Sequence, residues 1–273
     1  MGYERSLPYK PGQKTPYRLS RSKIDLFLNC PRCFWLDARL KIKRPSSPPF
    51  RINSAIDELF KKEFDVHRES QTTHPICETY GLKLVPFKHE KIDEWRDALR
   101  RGVTFLHEPT NLLITGGVDD IWVDLDSDEL VVVDYKATAK NGEVSLDAGW
   151  QIGYKRQIEV YQWLLRANGF KVKKTGYFVY TNADLTAEDF QDKLVFKTKL
   201  IDYDGDDGWV EQTVFKMKEC LDSDDMPEVG KNVMDPSKPC EFCDYARSRT
   251  ALTIESLQKK TTKEKSAKKP SAA

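Results

Sequence analysis

The chain has 273 residues, 39% of them hydrophobic and 32% charged, which is enough for one sizeable core. Its 44 Lys and Arg residues nearly balance 43 Asp and Glu residues, so the net charge of +1 gives no sign of nucleic-acid binding and any electrostatic footprint must be local. No stretch approaches the roughly 20 apolar residues of a membrane helix, and the N-terminus lacks a secretory signal, so we expect a cytoplasmic protein without membrane contact.

Helices predominate in the first hundred residues. Residues 1–17 contain three prolines and no apolar periodicity, which predicts an extended lead-in. Ser20 or Ser22 suits the N-cap of a first helix, a second helix is predicted over 54–64, and a third over about 92–101. The predicted apolar stripes are Ile24, Phe27 and Leu28 in the first helix and Ile56, Leu59, Phe60 and Phe64 in the second.

Strands and helices follow one another beyond the third helix. The runs "NLLITGGVDDIWVDL" and "ELVVVDYKATA" predict neighbouring strands joined by a polar turn at 126–128. A helix is predicted over 150–168, followed by strands in "TGYFVYTNA" and "KLVFKTKLIDY" and an amphipathic helix in "WVEQTVFKMKECL". This order indicates an α/β fold with a mixed central sheet flanked by helices. The Lys-rich tail, 256–273, is predicted to be disordered.

The most hydrophobic strand, "LVVVDYK", ends in Asp134 and Lys136, although burying charge in a strand is costly. Side chains alternate along a strand, so these two residues share one face. Asp119 follows Gly116 and Gly117 at the end of the preceding apolar run. If the two strands pair, Asp119 and Asp134 converge at one end of the sheet with Lys136 beside them.

Two adjacent carboxylates repel each other unless a cation lies between them, and oxygen ligands favour a hard divalent ion such as Mg²⁺ or Mn²⁺. A lysine beside that ion can act on a metal-bound water or on developing phosphate charge, which is metal-assisted phosphodiester hydrolysis. For the Asp-x-Lys tripeptide alone, an ordinary ion pair at an exposed strand end is the simpler interpretation.

The ordered motifs "GGVDDIW", "VVVDYKAT" and "QIEVY" resemble those of the PD-(D/E)XK nuclease superfamily, specifically its RecB-like branch. The resemblance implies a restriction-endonuclease-like core, with a nuclease-like domain over 18–250. In that branch the first motif supplies a metal ligand, the second supplies another ligand and the catalytic lysine, and the third lines the site from a helix. The corresponding residues here are Asp119 after Gly116, then Asp134 and Lys136, then Gln157 and Tyr161.

One motif departs from the family pattern. RecB-like nucleases usually carry Gly-x-x-x-His on an upstream helix, whose histidine is a further metal ligand. The matching stretch here is "NSAIDELFKKEF", with Asn53 in the glycine position and Asp57 in the histidine position. A carboxylate suits Mg²⁺ or Mn²⁺, so Asp57 is the implied third ligand, with Glu58 as the alternative. Both residues also fit ordinary solvated helix charges, and the missing histidine fits a weakened activity.

Six cysteines in a chain without a visible export route are expected to bind metal or to act in catalysis rather than to form disulfides. Two C-x-x-C pairs offer four thiolates, which suit a closed zinc site or a [4Fe–4S] cluster and would clip the domain ends together. The pairs are Cys30 with Cys33 and Cys240 with Cys243, whereas Cys77 and Cys220 have no partner at ligand spacing and are expected to be inert.

This cysteine pattern is similar to that of AddB-type nuclease domains and small CRISPR-associated exonucleases. Those proteins hold an iron–sulfur cluster with one N-terminal and three C-terminal cysteines, whereas this chain has two and two. The resemblance places [4Fe–4S] ahead of zinc, although the paired format suits zinc equally.

Cations and aromatic residues near the proposed site indicate contacts with DNA. Lys140 lies beyond the Asp-x-Lys strand and Arg156 precedes Gln157, so both are predicted to contact phosphate, or else to be solvated surface charges. Tyr154 and Lys155 lie beside them and suit stacking and charge contacts on a single strand. The chain carries no P-loop, so any translocation needs a helicase or defence-complex partner.

Taken together, the motifs predict a metal-dependent DNA nuclease that acts on single-stranded DNA or on DNA ends, in repair, recombination or defence. The alternative is a DNA-binding or adaptor protein of the same fold with weakened catalysis, or a structural subunit of a larger complex.

Overall fold

The computed structural model describes residues 7–46, 48, 50–186 and 188–267, and within these ranges the chain forms eight strands and eight α-helices. The strands are β1 (Tyr17–Ser20), β2 (Leu84–Pro86), β3 (Val103–His107), β4 (Leu112–Gly116), β5 (Asp120–Asp124), β6 (Glu129–Thr138), β7 (Thr175–Ala183) and β8 (Phe196–Asp204). The helices are α1 (Arg21–Asn29), α2 (Pro31–Leu40), α3 (Arg51–Ser70), α4 (Pro75–Thr79), α5 (Ile92–Arg96), α6 (Ile152–Ala167), α7 (Val210–Asp222) and α8 (Glu241–Ala267). None of the described helices is long and apolar enough to cross a membrane.

The strands form two sheets. The larger sheet has the order β2-β5-β6-β7-β8 and the smaller one the order β1-β4-β3. In the larger sheet β6 and β7 run parallel, while the other neighbours are antiparallel. Parallel neighbours need a crossover connection, and α6 provides it between β6 and β7. The mixed sheet flanked by helices that the sequence predicts is confirmed.

Strand β6 lies at the centre of the fold because helices pack on both of its faces. Val132 joins the core that contains Ile158 of α6. Val131 and Val133 face the other way, into a second cluster that contains Phe64 of α3. This is the alternation that the sequence predicts, and it places the side chain of Asp134 on the face of Val132.

The apolar run predicted as a single strand before β6 is two strands in different sheets. β4 ends at Gly116 in the smaller sheet, and β5 begins at Asp120 in the larger one. The two intervening positions are crowded: a Cβ on Gly116 would lie 2.5 Å from the ring of Tyr161, and a Cβ on Gly117 would lie 2.3 Å from the Cβ of Ala98. Only glycine fits at either position, so the crossing from one sheet to the other depends on both glycines.

Two N-terminal helices differ in length from their predicted bounds. α3 runs from Arg51 to Ser70, because Phe64 and Arg68 continue its buried stripe, whereas Leu59, predicted to be buried, is 61% exposed. α5 ends at Arg96 rather than near residue 101, because the following residues turn so that Ala98 packs on Gly117. The predicted bounds agree with the structure to within a few residues for the first helix, for the turn between β5 and β6, and for α6, β7, β8 and α7.

The C-terminal segment continues as helix α8 to Ala267, through a region that the sequence predicts to be disordered from residue 256. An ion pair between Lys259 and Glu255 supports it at i,i+4 spacing, a contribution that composition alone does not reveal. Its side chains between Glu255 and Lys260 are exposed. The last predicted tail residues, 268–273, and residues 1–6 of the predicted lead-in lie outside the described residues.

Candidate active site and four-cysteine site

The carboxylate of Asp134 is fully buried and lies in the middle of β6, which continues beyond it to Thr138 instead of ending there as predicted. Lys136, two residues further on the same face, forms an ion pair with it. Apart from its charged neighbours, neither carboxylate oxygen receives a hydrogen bond from the described residues. Buried carboxylates are normally saturated with donors, so the lone pairs of Asp134 that the Lys136 ammonium does not occupy fit a bound cation.

Asp119 meets Asp134 because of the register between β5 and β6. Asp120 pairs with Val133, so the residues just beyond that pair, Asp119 and Asp134, lie side by side. The backbone N–H of Tyr135 donates to Oδ2 of Asp119 at 3.0 Å. Burial and the charge of Asp134 raise the pKa of Asp119 to about 7, against the opposing effect of Lys136.

The ammonium of Lys136 is held between these groups. Burial disfavours its charged form, but the carboxylates of Asp134 and Asp119 outweigh that effect and raise the pKa of Lys136 above its usual value. The ring of Tyr154 adds a cation–π contact, with its centroid 4.7 Å from the Lys136 Nζ. The lysine therefore stays protonated and can act as a fixed positive charge.

Helix α3 carries a third carboxylate within electrostatic reach of Asp119 and Lys136, although among the described residues the three carboxylates do not form a group close enough to share one ion. The side-chain amide of Asn53 donates to the backbone carbonyl of Ala137 at 3.0 Å and so fastens the start of α3 to the end of β6. Asp57 lies one turn further along, where burial and the charge of Asp119 raise its pKa. Lys61 donates to Asp57 Oδ2 at 2.7 Å. Glu58, the alternative ligand, is exposed.

Gln157 and Tyr161 lie beneath the carboxylates, one turn apart on α6. The Gln157 Nε2 donates to the Tyr161 Oη at 3.3 Å, and both side chains are buried. The Tyr161 ring packs against Gly116, so it supports the turn that carries Asp119. Burial raises the pKa of the Tyr161 phenol, and the charge of Asp119 adds to the effect. The three motifs are thus brought together in space.

Sequence reasoning missed two of the charged groups at this site. Arg21, the first residue of α1, lies within electrostatic reach of Tyr161 and Asp134. In the sequence, Asp25 at i,i+4 spacing indicates an ion pair with Arg21 on one helix. Nothing in the spacing connects Arg21 to the Asp-x-Lys strand. Lys61 was detectable only as the i,i+4 neighbour of Asp57.

The model of one protein family, the PD-(D/E)XK nuclease superfamily, matches residues 18–248, which is most of the chain. The chain belongs to the PD-(D/E)XK nuclease superfamily. Its mixed sheet with flanking helices is consistent with a restriction-endonuclease-like core, and membership supports a nuclease-like phosphodiester hydrolase function. A search of curated proteins found no match to the chain.

The two cations predicted to contact DNA in this nuclease-superfamily protein have different surroundings. Lys140 is exposed just beyond β6, where Asn182 holds its backbone with two hydrogen bonds of 3.0 Å. Arg156 is largely occupied within the protein, because it donates to Asn29 Oδ1 at 3.1 Å and lies 3.6 Å from a carboxylate oxygen of Asp25. Lys140 is the freer of the two to meet a phosphate.

The second cluster of functional interest in this superfamily member is formed by four thiols, whose sulfur atoms all lie within 4.8 Å of one another. Each C-x-x-C pair lies at the start of a helix, α2 or α8, where the helix dipole and free N–H groups favour thiolates. The Cys33 thiol lowers the pKa of Cys30 against the opposing effect of burial, and the backbone N–H groups of Cys33 and Gly230, which donate to Cys30 Sγ, lower it further. The members of this four-cysteine site are Cys30, Cys33, Cys240 and Cys243.

The remaining two cysteines lie outside the four-cysteine site. Burial raises the pKa of the Cys77 thiol to about 12 and that of Cys220 to about 11. Both thiols therefore stay protonated at neutral pH, as expected of inert packing residues.

Proposed function

We propose that this protein is a Mg²⁺- or Mn²⁺-dependent deoxyribonuclease of the RecB-like branch, acting on single-stranded DNA or DNA ends. The observation that carries the proposal is the fully buried Asp134 carboxylate, which adjoins Asp119 and has, among the described residues, no donor other than the Lys136 ammonium. The chemistry of this donor set is that of a hard-cation site.

In this proposal Asp119, Asp134 and Asp57 would hold the divalent ion, which when bound would activate water and neutralise phosphate charge. Lys136 is the catalytic cation: its fixed ammonium orients the attacking water and stabilises charge that develops on the phosphate. Gln157 and Tyr161 are buried, so we assign them positioning roles beneath Asp119 rather than contacts with DNA.

Substrate contacts are proposed at the rim of the cleft. Lys140 is exposed beyond β6 and suits a phosphate contact. Trp150 is 43% exposed and packs edge-on against Tyr154, 5.4 Å between centroids, so its ring suits stacking on an unpaired base. A helicase or defence-complex partner is proposed for any unwinding, since the sequence has no P-loop.

The test is cleavage of labelled single- and double-stranded DNA with Mn²⁺ or Mg²⁺ by purified protein. Lys136→Ala is expected to lower the cleavage rate by about 100-fold or more, while Lys83→Ala, at an exposed lysine paired with Asp126, serves as control. Asp57→Asn is expected to lower the rate and Glu58→Gln to leave it unchanged, since Asp57 lies within electrostatic reach of Asp119 and Lys136 whereas Glu58 is exposed. Cleavage that survives Lys136→Ala would refute the catalytic assignment.

A DNA-binding protein with weakened catalysis is the second candidate. The observation that favours it is the ion pair between Lys61 and Asp57, because it partly neutralises the carboxylate that replaces the usual histidine. DNA binding without metal-dependent turnover, in the wild type and in Lys61→Ala alike, would support this candidate.

A metal group at the four-cysteine site completes the proposal. The four thiols suit either a [4Fe–4S] cluster or zinc by ligand type. In both cases the group would join the segment between α1 and α2 to the start of α8.

A further inference from the structure

We propose that the four-cysteine site holds one tetrahedral ion, Zn²⁺, and not a [4Fe–4S] cluster. The proposal concerns a structural metal and does not depend on the nuclease activity.

The sulfur atoms are spaced as the corners of a tetrahedron around a single ion. Cys33 lies 3.5 Å from Cys243 and 3.8 Å from Cys240, and Cys30 lies 3.7 Å from Cys243, each measured between Sγ atoms. A Zn–S bond of about 2.3 Å predicts tetrahedral edges of about 3.8 Å. All the remaining Sγ separations lie within 4.8 Å.

A cubane cluster needs more space between the same atoms. Each thiolate then binds a different iron, so two metal–sulfur bonds and an iron–iron separation lie between any two sulfurs, which sets them roughly 6 Å apart. The largest separation here is below that value. The space among the four thiols therefore fits one ion and is too small for four irons and four sulfides.

The surroundings resist the expansion that a cluster would require. The loop at Gly230 is pressed against Cys30: its N–H donates to Cys30 Sγ at 3.2 Å, and a Cβ at Gly230 would lie 2.1 Å from the carbonyl oxygen of Asn29. At another of the four thiols, Arg44 donates to Cys240 Sγ at 3.2 Å while its guanidinium lies 4.6 Å from the ring centroid of Phe242. Cys30 and Cys240 are 0% and 2% exposed.

These neighbours supply the hydrogen-bond donors and the positive charge that four thiolates around a divalent ion require. Two backbone N–H groups and the Arg44 guanidinium donate to sulfur, which orients the ligands and offsets part of the site's negative charge. Two helix N-termini act in the same direction. The site is closed, with no position for a water ligand among its four sulfurs, as is typical of structural zinc.

The test is the metal content of the full chain, purified without oxygen from cells grown with both iron and zinc. Elemental analysis is expected to give about one zinc per chain and no acid-labile sulfide. Replacement by Co²⁺ should give the absorption of a tetrahedral thiolate complex. Four irons with labile sulfide and broad visible absorbance would overturn the proposal, and so would a single iron or a metal-free protein after reconstitution with Zn²⁺.

Variants give a second, independent readout. Cys33→Ser and Cys243→Ser are each expected to lower the zinc content at least severalfold, whereas Cys77→Ser and Cys220→Ser, outside the site, should retain it. Zinc release by a chelator, followed with a colorimetric reagent on the wild type, gives the stoichiometry even if a ligand variant fails to fold. Retention of full zinc content in both ligand variants would contradict the proposal.

Discussion

Asp119 and Asp120 are adjacent in sequence but have opposite surroundings. Asp120 is fully buried and accepts hydrogen bonds from two arginines, a tyrosine, a tryptophan and a backbone N–H. Asp119 faces Asp134 across the strand pair and has a raised pKa. Side-chain alternation produces this division, so one carboxylate stabilises the fold while its neighbour is available for chemistry.

The raised pKa of Asp119 predicts a pH-dependent stability. In metal-free protein, the folded state keeps a proton at Asp119 up to about pH 7, whereas the unfolded chain loses it near pH 4. The contribution of Asp119 to the free energy of unfolding therefore falls as the pH rises from about 4 to about 7. Above pH 7 the folded state bears the full cost of the buried, ionised carboxylate. Asp119→Asn should raise the free energy of unfolding at pH 8 by at least about 1 kcal/mol and change it little at pH 4.

Denaturant unfolding with and without Mn²⁺ checks this prediction. Mn²⁺ should stabilise the wild type, because it compensates the paired carboxylates, but should have little effect on Asp119→Asn. Asp126→Asn, in the exposed turn between β5 and β6, is the control and should change stability by less than about 0.5 kcal/mol. Equal stability of wild type and Asp119→Asn at pH 8 would rule out the proposed repulsion.

The contact between Gly116 and Tyr161 predicts a steric penalty. The added methyl of Gly116→Ala would lie 2.5 Å from the tyrosine ring, so the ring or the turn has to move. We expect a loss of about 1–3 kcal/mol in stability, together with reduced metal affinity, because Asp119 follows the same turn. Gly149→Ala, where a Cβ meets nothing within 4 Å, is the matched control in thermal and denaturant unfolding. If Gly116→Ala left the free energy of unfolding unchanged, the packing between Gly116 and the Tyr161 ring would be shown to be looser than the structure indicates.

At the scale of elements, the Asp120 network fastens two helices to the sheet. Arg68 of α3 and Arg96 of α5 both donate to Asp120 Oδ1, and both also reach Asp65. Because α3 also carries Asp57, the position of this third carboxylate depends on the network. Asp120 contributes to the site through structure, without touching the cleft.

Breaking this network should be costly. Asp120→Asn removes the buried carboxylate that both guanidinium groups share and leaves them only the partly exposed Asp65, so we expect a loss of about 3 kcal/mol in the free energy of unfolding. The exposed pair of Lys83 and Asp126 is the control, since Lys83→Ala should cost less than about 1 kcal/mol. Urea unfolding followed by circular dichroism measures both. A loss below 1 kcal/mol in Asp120→Asn would mean that the arginines find other partners.

The sequence predicted elements whose signal is local. β6 was recognisable from its β-branched run, and α6 from its apolar periodicity and its stop at Asn168. The change of sheet after Gly116 was not, because it depends on a tyrosine 45 positions away in the chain (161 minus 116). The burial of Arg68 was missed for the same reason, since its partner Asp120 lies far along the chain.

For the candidate site, the ordered motifs indicated which side chains meet, and the structure brings them together. Asp57 could be separated from Glu58 only through the contact of Asn53 with β6, which no pattern reveals. The positions of Arg21 and Lys61 also depend on tertiary packing. Roles at the site remain predictions that the variants above test.

At the scale of the whole molecule, the four-cysteine site joins two segments about two hundred residues apart in the chain. Removal of a metal bound there should therefore destabilise the contact between these two segments. A chelator is expected to lower the melting temperature and to increase hydrogen exchange in α1, α2 and the first turn of α8. Exchange in β6 and β7 should change much less, because their buried side chains belong to core clusters other than that of the thiols. Uniform exchange across the whole chain would contradict a local role for the metal.

Helix α1 connects the two sites directly. It begins at Arg21, next to Tyr161, and ends at Asn29, just before Cys30. Nine residues of helix form a rigid rod of about 13 Å, so displacement of its cysteine end is transmitted to its arginine end. Oxidation of the thiols, with loss of any bound metal, is therefore expected to displace Arg21 from Tyr161 while the larger sheet stays folded. Under oxidative stress the candidate active site would then be disturbed before the protein unfolds.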